Sequence, residues 1–236
     1  MVDKQPQLKD EPISGNSTNS LRAAVLGAND GIISVAALVV GVGGAIADAH
    51  TILISGIAGL VAGAFSMGAG EYVSVSSQRD TEKALLEKER RELELYPKEE
   101  HEELVSIYEE KGLSRKTAEI VASELASSDT FMAHADAELN IDPRKLTSPW
   151  HAAFASFISF TIGGIIPLLA IVFFPEQMRI VGTFISVVIA LMITGILSAR
   201  ASGAPAVRAV SRIVISGFIA MLVTYGVGVL FGVSFS

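Results

Sequence analysis

The stretch ILISGIAGLVAGAFSMGAGEYVSVS, Ile52–Ser76, running straight into SQRDTEKALLEKERRELEL, Ser77–Leu95, decides the fold. The first part carries one charged residue, Glu71, in 25 positions, and a bilayer core takes roughly 20 apolar residues to cross as a helix. The second part is dense in strong helix formers and charges, with no break before Pro97, where a helix interior cannot continue but a new helix can begin. The pattern predicts a membrane helix that extends into water as a polar helix.

Comparable apolar runs lie near residues 23–47, 152–174, 180–199 and 213–233, which makes five candidate spans. The first and second are separated only by the residues around Asp48-Ala49-His50, so they are expected to form a tight helical hairpin. Composition agrees: half of the 236 residues are hydrophobic, 18% are charged and 21 are glycine, as in helices packed closely within lipid. The predicted fold class is therefore an all-α integral membrane protein, with five transmembrane helices and a helical cytoplasmic domain inserted between the second and third. Residues 1–20, polar and containing Pro6 and Pro12, are expected to be a disordered cytoplasmic tail without the order of features of a signal peptide. Asn16-Ser17-Thr18 matches a glycosylation sequon but would be idle on that side. Residues 21–77 hold spans one and two, 78–149 the acidic insert, and 150–236 spans three to five. The absence of cysteine removes disulfides, thiolate metal sites and cysteine nucleophiles.

Charge orients these segments. Of the 18 basic residues, 3 lie in residues 1–22, 11 in 77–150 and 3 (Arg200, Arg208, Arg212) between the last two spans, leaving Arg179 alone on the opposite side. The positive-inside rule makes the populated side cytoplasmic, with the amino terminus inside and the carboxyl terminus outside. The insert has 18 of the 25 acidic residues against 11 basic ones, a net −7, which disfavours nucleic-acid binding. Within it, Lys111-Gly112 is expected to end a helix begun at Pro97, Ser114 to cap another through about Ala126, and Ser128 or Asp129 to cap a last one through Leu139. Such short helices need one another, a partner copy or a ligand for stability.

Chemistry concentrates in polar residues at costly positions. Asp30, about seven residues into the first span, is roughly 10 Å deep at 1.5 Å per residue. Glu71 sits close to the same face at the end of the second span, with Met67 one turn further in. Antiparallel packing brings the three to one level, and ionisable groups in lipid cost about 2.5–3.5 kcal/mol at the centre, so a shared polar site is one reading. Hydration of each at the headgroup boundary is the other. Two carboxyls and a thioether suit a divalent first-row metal, and the carboxyls can also carry protons.

In the insert, Glu89 and Glu92, and likewise Glu100 and Glu103, are spaced i, i+3 and share a helix face. If the faces converge, the four carboxylates form the arrangement that helical carboxylate metal sites use. His134 and Glu138, at i, i+4, are placed to close it, with Met132 and Asp136 as further candidates. A solvated acidic surface is the alternative, since Glu82, Glu87, Glu94, Glu99, Glu102, Glu109 and Glu110 are equally available. His50 and His151 fall near span ends and read as interfacial. With no histidine inside a span, a membrane-embedded hydrolase lacks a base, so no catalytic residue is assigned. Gly59-x-x-x-Gly63 and Gly228-x-x-x-Gly232 mark expected close helix contacts, and Pro167, after Gly163-Gly164, an expected kink.

Asn29-Asp30-Gly31, with MGAGEYVSVSSQRD at Met67–Asp80, resembles the vacuolar iron transporter family, which includes yeast vacuolar and plant nodulin-like members. The similarity runs from about Leu21 to the carboxyl terminus. It implies a homodimer of five-helix protomers that exports Fe²⁺, and Mn²⁺ in many members, from the cytosol in exchange for protons. It further implies that Asp30, Met67 and Glu71 line the pathway, and that Glu89, Glu92, Glu100 and Glu103 are metal ligands completed from the last insert helix. Where family members carry methionine and glutamate on that helix, this chain has FMAHADAEL, Phe131–Leu139, aligning Glu138 with the glutamate and His134 near the methionine. No permanently bound cofactor is expected; Fe²⁺ or Mn²⁺ enters as the transported and insert-bound ion. The expected partners are protons, the lipid bilayer and a second copy. The lack of a recognisable organellar signal favours a bacterial inner (plasma) membrane over a vacuolar one. A membrane-anchored metal sensor or buffer without transport is the alternative function, and a purely structural scaffold would leave Asp30 unexplained.

Overall fold

The computed structural model describes residues 15–203 and 205–234 and contains only helices and connecting turns among them. In chain order the helices are α1 (Gly15–Ala45), α2 (Ala49–Leu95), α3 (Pro97–Glu110), α4 (Arg115–Ala137), α5 (Pro149–Phe173), α6 (Arg179–Ser202) and α7 (Ala206–Ser234), with one 3₁₀ turn at Glu176–Met178. Five of them, α1, α2, α5, α6 and α7, are long and apolar enough to cross a bilayer. The chain is an all-α integral membrane protein. Residues 1–14 of the expected tail, and with them most of the disorder reading, lie outside the described residues. Gly15–Ser20 belong to α1, because the helix-forming Leu21-Arg22-Ala23-Ala24 carries the helix back towards the amino terminus.

The chain divides into two compact units, one formed by residues up to Tyr72 together with those from Trp150 onward, the other by Val73–Pro149. In the first, α1 is central and packs on α6 and α7. Its Ile32, Val35, Val39 and Val40 are buried against Leu60, Phe160, Leu168, Val187, Leu191 and Met221. Two approaches are so close that a side chain would not fit. A Cβ on Gly31 would lie 2.1 Å from the Phe160 carbonyl oxygen, and one on Gly228 would lie 1.9 Å from that of Gly41. In the Gly228-x-x-x-Gly232 pair both glycines therefore meet α1 backbone, at Gly41 and Ala45, whereas Gly59 and Gly63 receive the side chains of Leu38 and Phe160. Pro167 lies inside α5, which continues to Phe173. Large apolar residues such as Phe65, Ile162, Phe173, Ile219 and Leu230 remain exposed on this unit, the outward face that lipid would cover. Between α1 and α2, the Asp48 carboxylate accepts the Thr51 amide at 2.8 Å and so caps α2.

In the second unit, local sequence sets each helix end. Tyr96, at φ −132°, links the end of α2 to α3, which has Pro97 in its first turn. Gly112 takes φ +98° after α3, a left-handed conformation that glycine adopts without strain. Ser114 caps α4 by accepting from the Thr117 amide. Asp129, with φ −161° and ψ 97°, interrupts α4, and its Oδ1 accepts the Met132 amide at 3.0 Å. It thereby caps the last two turns. Leu104, Val105, Ala118, Ala122 and Ala133 form the small core between α3 and α4.

Candidate functional site

Each ligand-type side chain of the insert is placed by an apolar neighbour on its own helix. On α2, Glu89 is three residues after the buried Leu86; on α3, Glu100 is four residues before the buried Leu104. Each is turned inward with its leucine. On α4, buried Ala133 and Ala135 flank His134, and Glu138 follows as the helix C-cap. The result is that Glu89, Glu100, His134 and Glu138 each present one ligand atom within 4.8 Å of all the others. His134 Nδ1 stands 3.0 Å from Glu89 Oε1, 3.6 Å from Glu100 Oε2 and 3.9 Å from Glu138 Oε2.

The electrostatics of this cluster are unfavourable without a cation. Glu89 is 2% exposed, Glu100 7% and His134 0%. Burial, then the Glu138 carboxyl, push the Glu89 carboxyl up to about 8. Burial, then Glu103 and Glu92, raise Glu100. Burial lowers His134 in spite of Glu138, so its imidazole is neutral and no ion pair holds the group together. Glu89 Oε1, Glu138 Oε2 and both ring nitrogens of His134 are buried without a hydrogen bond of proper geometry. Buried polar atoms left in this way cost roughly 1–3 kcal/mol each. A divalent ion would satisfy Glu89 Oε1, Glu138 Oε2 and His134 Nδ1 together: one imidazole nitrogen and three carboxylate oxygens match the donor preferences of first-row metals, and the separations suit ligands about 2.0–2.2 Å from a shared ion after slight contraction.

Of the six predicted insert ligands, the structure brings these four together and leaves two outside. Glu92 is held by Lys88 at 2.8 Å, and Glu103 is exposed. Both stand near enough to act on Glu100 through charge. Met132 and Asp136 line a different cavity of about 360 Å³, shared with Asp129 and Asp142.

In the membrane unit, Asp30, Met67 and Glu71 line one cavity of about 430 Å³. Ser34, one turn after Asp30, donates to its Oδ1 at 2.8 Å. Gly59, Gly63 and Gly70 of α2 and Phe160 of α5 form part of its wall, and at Gly70 nothing stands within 4 Å of where a Cβ would be. Beside Asp30, Asn29 Oδ1 accepts a 2.6 Å hydrogen bond from Thr194 of α6. Ser34, Ser66 and Thr194 escaped the sequence reading. The only signal for Ser34 was its i, i+4 spacing from Asp30, and none marked the long-range Thr194 contact. His50 and His151 are exposed and line neither site.

Spans that line a cavity with carboxyls, hydroxyls and a thioether, together with an insert that holds a carboxylate and imidazole cluster, define a polytopic membrane protein with side chains of metal-ligand type gathered in both of its units. Comparison with known proteins narrows this class: the family model described as VIT family matches residues 21–229, and the chain belongs to that family. It is 43% identical over 211 residues to a vacuolar iron transporter of Acanthamoeba castellanii, covering 89% of this chain and 78% of that one. It is 39% identical over 213 residues to vacuolar iron transporter homolog 2 of Arabidopsis thaliana, covering 90% and 84%. With vacuolar iron transporter homolog 1 of Oryza sativa subsp. japonica the identity is 38%, covering 90% and 74%.

Proposed function

We propose that this protein moves Fe²⁺, with Mn²⁺ as a second cargo, out of the cytosol in exchange for protons, working as a homodimer with its amino terminus and insert in the cytoplasm. The relatives' names support iron as the cargo, and the distribution of basic residues supports the orientation. The observation that carries the reading is the cavity in which Asp30, Glu71 and Met67 meet. Carboxylates in the membrane bind a divalent ion when ionised and take protons when it leaves, which is what exchange requires. The insert cluster gathers the ion from the cytosol. A sensor or buffer would need that cluster alone and would have no use for a carboxyl-lined cavity among the spans.

Asp30→Asn keeps volume and polarity but removes the charge and the exchangeable proton. In reconstituted vesicles it should abolish transport while leaving Mn²⁺ affinity of the insert unchanged. Glu71→Gln should act in the same way, and Met67→Leu should impair Fe²⁺ more than Mn²⁺ because it removes the softer ligand. Wild-type transport by Asp30→Asn, with wild-type pH dependence, would return the sensor or buffer reading to first place.

A further inference from the structure

Along α1 the cavity among the spans is lined by Leu26, Asp30, Ser34 and Leu38, one residue per turn, with Val35 beside them. Apart from Asp30 itself, Ser34 is the only side chain of this lining stretch that carries a polar atom. Hydroxyls in the spans commonly turn back on their own helix. Those of Thr161, Thr183 and Thr224 each donate to the carbonyl oxygen four residues earlier, at 2.8, 2.8 and 3.0 Å, the usual way a helical hydroxyl is satisfied. Thr194 and Ser34 depart from this pattern, and the side chains they hold are neighbours in sequence. Thr194 donates to Asn29 Oδ1. For Ser34 the carbonyl four residues earlier belongs to Asp30, yet its hydroxyl donates to the Asp30 side chain, 2.8 Å from Oδ1.

We propose that Ser34 is a positioning residue of the cation path, whose O–H holds the Asp30 carboxylate through Oδ1 and leaves Oδ2 for an incoming divalent ion. The inference rests on the reading of this cavity as the path for Fe²⁺ and Mn²⁺. An unheld aspartate side chain samples several rotamers, and an ion that binds it must first select one. A hydrogen bond already made to one oxygen lowers that ordering cost before the ion arrives. Carboxylates that ligate metals are themselves hydrogen-bonded, and removing such a partner typically costs tenfold to a hundredfold in metal affinity. A serine suits the task because its hydroxyl donates without bringing a charge. A lysine or arginine there would offset the carboxylate and repel the cation.

The test has two arms, both with Mn²⁺ and the full chain. One measures the rate of Mn²⁺ uptake into proteoliposomes against its concentration. The other measures Mn²⁺ binding in detergent to the chain carrying Glu89→Gln and Glu100→Gln, in which the insert cluster is disabled and the cavity is left to bind. Ser34→Ala should raise the KM of uptake about tenfold and weaken binding in the second arm by about the same factor. The maximal rate should stay within about twofold of wild type, because a saturating ion orders the carboxylate by itself. Ser34→Thr, which keeps the hydroxyl, should restore the wild-type KM, whereas Ser34→Val, with the shape of threonine and no hydroxyl, should behave as Ser34→Ala. If wild-type vesicles take up no Mn²⁺, the transport reading fails and the binding arm still decides the role of Ser34. Unchanged KM and unchanged affinity in Ser34→Ala overturn the proposal, as do Thr and Val variants that behave alike. No uptake together with no residual binding overturns it as well, since Asp30 then receives no ion.

Discussion

Metal binding by the insert should strengthen steeply with pH up to about 8. Glu89 is the reason: burial and the neighbouring Glu138 raise its carboxyl from the ordinary 4.5 to about 8, so below that value an incoming ion must displace its proton. Displacing one proton costs a factor of about ten, or ~1.4 kcal/mol, for each pH unit below the pKa. Between pH 6 and pH 8 the affinity should therefore rise by about fiftyfold, with about half of the carboxyls still protonated at pH 8. His134 adds no slope above its ordinary value, because burial moves its titration lower. The same shift works on the metal-free fold with the opposite sign. A carboxyl whose folded pKa lies above its unfolded one contributes stability that is complete below 4.5 and lost as pH rises through about 8. Metal restores that loss by taking the place of the proton. The assay is the free Mn²⁺ electron paramagnetic resonance signal during titration of the full chain in detergent at pH 6, 7, 8 and 9. Calorimetry in buffers of different ionisation enthalpy should show about one proton released per ion at pH 7. An affinity constant across pH 6 to 8 would refute the assignment of Glu89 as a protonated, buried ligand.

Two further outcomes concern helix packing and topology. Gly228→Ala places a methyl 1.9 Å from the Gly41 carbonyl oxygen, forcing α1 and α7 apart at a cost of about 1–3 kcal/mol; Gly226→Ala, with nothing within 4 Å, should leave the thermal unfolding midpoint in detergent unchanged. Single-cysteine labelling in the cysteine-free chain should place residue 110 in the cytoplasm and Ser236 outside, and finding both on one side would contradict five crossings.

Much of this arrangement was legible because it is set locally. A run of 25 residues with one charge can only be buried in lipid or in a large core. Pro97, Gly112, Ser114 and Asp129 punctuate the insert for reasons of backbone geometry that each residue carries with it. Asp30 and Glu71 were marked by the cost of a charge at that depth and Met67 by lying one turn from Glu71, and antiparallel packing brings the three to one cavity. The choice among the glutamates was less accessible. Glu89 and Glu92 are equivalent by spacing, and only the rotation of the helix distinguishes them. That rotation is set by Leu86 and Leu104, which pull Glu89 and Glu100 inward while Glu92 turns to Lys88 and Glu103 to solvent. Attention to those leucines would have found the inward pair. The bond from Thr194 to Asn29 joins residues 165 positions apart and leaves no local pattern.

The central claim is that the carboxyl-lined cavity carries metal across the membrane at the expense of a proton gradient. Proteoliposomes containing the purified chain and an internal metal-sensitive dye, with acidic interior and neutral exterior, test it most directly. The account predicts uptake of external Fe²⁺ that is accompanied by alkalinisation of the lumen, slows when a protonophore dissipates the gradient, and is absent with Asp30→Asn. Fe²⁺ entry that proceeds at one rate with or without the gradient would contradict proton exchange, and no entry under either condition would contradict transport itself.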